Sequence, residues 1–168
     1  MKQLTFLIVA LIFSCSFAFG QSMELTDKLP NDPSVITGTL KNGLVYYIKA
    51  NKQPENRAEL TLAVKAGSVL EDEDQQGLAH FTEHMAFNGS TNFPKNELVN
   101  YLESLGMKFG PEVNAYTSFD ETVYGIKVPT DDPEFIDKGL LVLYDWASEL
   151  SLETEEIDAE RGVIHEEW

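Results

Sequence analysis

Cysteine is nearly missing from this 168-residue chain, whose single copy is Cys15. That residue falls inside an opening segment, MKQLTFLIVALIFSCSFAFG, laid out like a cleaved signal peptide. One lysine is followed by an apolar run from Leu4 to Phe13, then by small residues with Ala18 and Gly20 at the −3 and −1 positions for cleavage. The run is shorter than the roughly 20 residues that span a bilayer, which weighs against a retained anchor. The residues before Cys15 match a lipoprotein signal poorly. With the segment at 1–20 removed no cysteine remains, so disulfides and thiolate metal ligands are excluded, and any metal must be held by histidine and carboxylate. Basic residues are scarce too: setting aside Lys2 leaves 11 against 28 acidic residues, a net charge of −17. Such a surface repels phosphate backbones and excludes nucleic acid as a partner, while most of its carboxylates serve solubility. The chain is therefore expected to be exported, periplasmic or secreted, without a stable membrane span after signal cleavage.

Past the signal the sequence predicts a loose leader over 21–34 and one folded unit over 35–168. Strand-like runs Val35–Leu40 and Leu44–Ala50 flank Asn42-Gly43, a strong hairpin signal. A third strand follows, with Leu60, Leu62 and Val64 alternating, and then an acidic loop. Helices are expected over Gln75–Phe87 and over the segment from Asn92 to Gly106, with Pro94 near its start. Two more strands, Val113–Phe119 and Thr122–Val128, precede an amphipathic helix with Phe135, Leu140, Leu143 and Trp146 inward. A last helix runs to the final residue. This order implies an α+β fold, a mostly antiparallel sheet with helices packed on one face. The helix reaching Trp168 without cap or tail leads to the expectation of a C-terminally truncated unit.

Histidine is also rare, with three copies, and two of them sit in GLAHFTEHMAFNGS. On a helix His80 and His84 lie one turn apart on one side with Glu83 beside them, and imidazoles so spaced can both reach one ion. Leu78, Phe81 and Met85 fall opposite, and Phe87 falls among the histidines, so this helix is expected between layers. Glu83 can stand next to the ion without being a ligand and move a proton as water attacks a carbonyl. The pattern His-x-x-Glu-His is an inverted zincin motif. A third ligand is still required. The inward stripe of the last helix, Ile157, Glu160, Ile164 and Glu167, offers two carboxylates. Glu166 faces about 100° away from that stripe, and His165 also lies off it, as a surface histidine.

GLAHFTEHMAFNGS, VNAYTSFDETVY and ERGVIHEEW resemble, in that order, the three signatures of the pitrilysin/insulinase family of zinc metallopeptidases, over roughly Ile36 to Trp168. The resemblance implies one zinc ion held by His80, His84 and Glu167, with Glu83 as the general base and Glu160 as the supporting carboxylate. It implies that Asn114 and Ala115 lie on an edge strand to which a peptide substrate adds, and that a C-terminal homologous unit, in cis or in trans, completes the site. The expected function is a zinc-dependent endopeptidase. The alternative is a non-catalytic or inactive binding or assembly fragment on the same scaffold, and a metal-binding protein without catalysis ranks last because it leaves Glu83 unexplained.

Overall fold

Alternation decides which side of each strand meets the helices. The computed structural model describes residues 30–95, 97–108 and 110–167. The expected signal peptide, and the leader up to residue 29, lie outside the described residues. These residues fall into two compact units divided between Asn51 and Lys52.

In the first unit β1 (Val35–Thr39) and β2 (Val45–Lys49) pair antiparallel, Val35 opposite Lys49 and Thr39 opposite Val45. The Leu40 N–H donates to the Leu44 carbonyl (2.8 Å) and the Gly43 N–H to the Leu40 carbonyl (2.9 Å), so Lys41, Asn42 and Gly43 form a three-residue loop. Gly43 takes φ +91°, a conformation glycine adopts at little cost. Lys49 reaches Asp32 at 2.7 Å and closes the open end of the hairpin.

The second unit holds a three-stranded antiparallel sheet in the order β3 (Arg57–Val64), β5 (Thr122–Pro129), β4 (Val113–Thr117). Its register places Leu60 opposite Ile126, which in turn faces Val113, and Leu62 opposite Tyr124, which faces Ala115. These residues line one face, while Glu59, Thr61, Asn114 and Tyr116 point to the exposed one. On the covered face lie α1 (Leu78–Met85), packed on β4 and β5, and α3 (Pro133–Ser148), packed on β3 and β5. A short α2 (Glu97–Ser104) buries Leu98 and Leu102, and α4 (Thr154–Glu166) packs on α1. The core joins Leu98, Leu102, Val113, Tyr124, Ile126, Val128, Val142 and Trp146. Burying side chains of this size contributes about 1.5–3 kcal/mol each. Among the described residues no helix is long and apolar enough to cross a membrane.

The α+β architecture with helices on one face is as expected, and α1 lies between the sheet and α4. Two details differ. Leu78, at the start of α1, is exposed. Leu140, expected inward, is 51% exposed, because the line of closest approach on α3 passes through Gly139, Val142 and Trp146 instead. A Cβ at Gly139 would stand 2.6 Å from Leu60 Cδ1 and 3.2 Å from Val128 Cγ1, so glycine is what lets α3 sit down on the sheet. A reading based on hydrophobic spacing passes over a glycine on the stripe.

Candidate metal centre

Helix α1 is fixed at both ends by side chains from elsewhere. Gly77, its N-cap with φ +91°, has no side chain to cap the first turn. Glu71 supplies the cap from the preceding loop, its carboxylate accepting from the N–H groups of Gly77 (2.8 Å) and Ala79 (2.7 Å). At the other end Trp146 Nε1 donates to the Ala86 carbonyl at 2.8 Å. The loop beyond is held by buried Asp145, which accepts from Ser90 Oγ (2.5 Å), Asn92 N (2.9 Å) and Asn92 Nδ2 (2.7 Å).

On this helix the Nε2 atoms of His80 and His84 stand 3.2 Å apart. Glu167 Oε2 lies 3.6 Å from the first and 3.7 Å from the second. One donor atom from each of the three residues falls within 4.8 Å of the others. Bonds of 2.0–2.1 Å in a tetrahedron set its ligands about 3.3 Å apart, so the three atoms already approximate one triangular face of such a site. The chemistry of the donors agrees. His84 Nδ1 faces Glu160 Oε1 at 2.8 Å, and a carboxylate only accepts, so Nδ1 carries the hydrogen and Nε2 is left with its lone pair aimed at the cluster. Two imidazole nitrogens and a carboxylate oxygen converging on one point are a donor set suited to a divalent cation. The residues fit a zinc ion.

Glu83 is 8% exposed and does not join that triangle. Thr117 Oγ1, from β4, donates to its Oε2 at 2.6 Å. The neighbouring Thr122 hydroxyl gives its hydrogen to the Ala66 carbonyl at 2.9 Å. Buried Tyr124 lies nearby, its ring tilted 33° against that of Trp146 with centroids 5.3 Å apart. Burial, reinforced by the charge of Glu83, pushes its phenol up to about 12, so it stays neutral beside the carboxylate.

Asn114 and Ala115 line a cavity of about 270 Å³ together with Glu83, His84, Phe87 and Glu160. Among the described strands β4 is an edge. Hydrogen bonds from Lys127 N–H to the Glu112 carbonyl and from Ser118 N–H to the Glu121 carbonyl, both 2.8 Å, put the even-numbered residues of β4 in the bonded positions against β5. The N–H and C=O of Ala115 therefore point out along the open edge, while those of Val113 are taken by Lys108 and Gly110.

On α4 the sequence-picked stripe is the less exposed side: Ile157, Glu160 and Ile164 are half-buried, whereas Glu166 and His165 are exposed. Glu167 stands at the C-cap with a side chain 46% exposed. Glu71, Asn88 and Asp145 were not identified from the sequence as contributing to the site. Asn88 donates to Glu160 Oε2 at 2.8 Å across a separation of 72 residues, which no local pattern signals.

The profile of the insulinase family (peptidase family M16) matches residues 46–168. The chain is 40% identical over its whole length to the "Probable zinc protease PqqL" of Haemophilus influenzae, of which it spans 18%. It is 44% identical over 83% of its length to the protein of the same name from Escherichia coli strain K12, spanning 15% of that relative. Among solved structures, the first half of the periplasmic protease PqqL from Escherichia coli superposes with a TM-score of 0.80 at 44% identity, covering 83% of this chain and 30% of that one. A profile match over most of the sequence, joined to a shared fold at this identity, establishes that the chain belongs to the insulinase family of peptidases.

Proposed function

We propose that this chain is the metal-bearing unit of an exported zinc-dependent endopeptidase, with His80, His84 and Glu167 holding one zinc ion. The observation that carries the reading is the convergence of His80 Nε2, His84 Nε2 and Glu167 Oε2 within 4.8 Å, beside a carboxylate that is not among them. When bound, zinc supplies Lewis acidity, which makes a water molecule nucleophilic near neutral pH and polarises a carbonyl.

The rest of the chemistry belongs to the chain's own residues. Glu83 takes a proton from the water that attacks the scissile carbonyl carbon and hands it to the amide nitrogen as the C–N bond breaks. Thr117 occupies Oε2 of that carboxylate, which leaves Oε1 as the atom that receives the proton. Glu160, accepting from His84 Nδ1, holds the imidazole in the tautomer that leaves Nε2 for the metal. A peptide adds to the open edge of β4 through the outward N–H and C=O of Ala115, whose methyl group allows a close approach, with Asn114 next to it along the same wall. Binding through backbone groups makes few demands on substrate sequence. The relatives are several times longer, and a later homologous unit, in cis or in trans, closes over the cavity. The opening segment and the periplasmic relative support a periplasmic or secreted location.

In the full-length protein, elemental analysis should find one zinc per chain, and a chelator should stop peptide hydrolysis. Glu83→Gln should lower kcat by about 100- to 10,000-fold with zinc retained. Full activity in Glu83→Gln removes the assigned base, and absence of zinc from the wild type removes the site.

A further inference from the structure

Glu160 has a second partner besides His84, and that partner decides how firmly Glu160 can hold the ring. Asn88 lies in the turn that ends α1, three residues beyond Met85 and four after His84. Its side-chain nitrogen lies 2.8 Å from Glu160 Oε2 and 3.6 Å from Met85 Sδ, and its backbone N–H donates to the Met85 carbonyl at 3.1 Å. A carboxylate only accepts, so the group facing Glu160 is the NH₂ of the amide. Glu160 therefore bridges two groups carried by one rigid segment: Oε1 takes the hydrogen of His84 Nδ1 and Oε2 takes a hydrogen of Asn88.

We propose that Asn88 is a positioning residue for the metal centre, setting zinc affinity by locking the Glu160 carboxylate against His84. The inference rests on the assignment of His84 as a zinc ligand and extends it outward by two hydrogen bonds. A glutamate side chain turns about three single bonds, and one hydrogen bond to an imidazole leaves the carboxylate free to rotate about that contact. The second bond, at the other oxygen, fixes its plane. With its side chain 15% exposed, Glu160 has little water to replace a lost donor. The residue at 88 must also be a donor. Aspartate would set a carboxylate against a carboxylate, and leucine, of similar shape, would offer Oε2 nothing.

The test uses the full-length protein and reads its zinc dissociation constant by competition with a chromophoric chelator. Asn88→Leu should bind zinc about 10-fold more weakly, as losses of outer-shell partners do. In a Glu160→Ala background the same substitution should have no further effect, since its path to the metal has been cut. A purely structural role for Asn88 would give a loss that adds in full to that of Glu160→Ala, and this overturns the proposal, as does zinc affinity in Asn88→Leu equal to wild type. Should the wild type take up no zinc, the reading of the metal site fails, and the crystal structure of metal-free Asn88→Leu still decides the role of Asn88. A Glu160 carboxylate swung away from His84 supports it, and an undisturbed contact between Glu160 and His84 overturns it.

Discussion

His84 and Glu167 aim donor atoms at the same point, yet they are held in opposite ways. The His84 side chain is 20% exposed and its ring is tied through Glu160 to Asn88, with His84 on a helix anchored at each end and Asn88 in the turn that closes it. Glu167 is 46% exposed and stands at the C-cap of α4, with no hydrogen bond to its carboxylate among the described residues. Under the proposed zinc site, the first arm is arranged by the fold's own hydrogen bonds, whereas the second contributes a charge and a lone pair whose geometry an ion would complete. Rigidity is concentrated where it fixes the tautomer and direction of an imidazole, a neutral ligand that binds only along one lone pair. A carboxylate tolerates a looser mount because either oxygen can serve, and long-range attraction draws it to a cation.

The comparison breaks most directly by deleting each arm in turn. His84→Ala should abolish stoichiometric zinc binding, because it removes a proposed ligand and takes from the Glu160 carboxylate one of its two partners. Glu167→Ala should weaken binding by about 100-fold while leaving it measurable, since water can occupy an exposed position. Equal losses in a chelator competition assay would erase the distinction. Next in size, Asp145→Ala strips the acceptor from Ser90 Oγ, Asn92 N and Asn92 Nδ2 and should cost about 3 kcal/mol in urea unfolding. It should also lower zinc affinity, because the loop it anchors carries Asn88. An undiminished unfolding free energy would show that α1 does not depend on that anchor. The smallest effect is expected of Glu166→Gln, next to Glu167 in sequence but turned away from the cluster: zinc affinity should equal that of the wild type. A clear loss there would show that the loosely mounted end of α4 presents a different carboxylate.

Much of the site could be read from the sequence because it rests on local periodicity. His80, Glu83 and His84 belong to one helical turn, and Glu160 and Glu167 share a face with Ile157 and Ile164. The strands were legible through alternation, and Gly43 marked the hairpin. What could not be read were partners that meet across the fold. Thr117 reaches Glu83 over 34 residues, Asp145 reaches Asn92 over 53, and Asn88 reaches Glu160 over 72. Glu71 looked like one more residue of an acidic loop, although it caps α1. Leu140 misled for a related reason, since hydrophobic spacing cannot see that a glycine marks where the helix touches the sheet.

The chain's own order fixes which residue types are available to bind a metal and sets them on two helical faces at spacings of 3.6 residues per turn. That the two faces meet, and that a threonine and an asparagine reach the two glutamates, follows from the packing of distant segments. Helical periodicity is a property of neighbours along the chain. Hydrogen bonds between distant side chains depend on how α1, α4 and β4 pack, and burial of the apolar faces beneath them sets that packing.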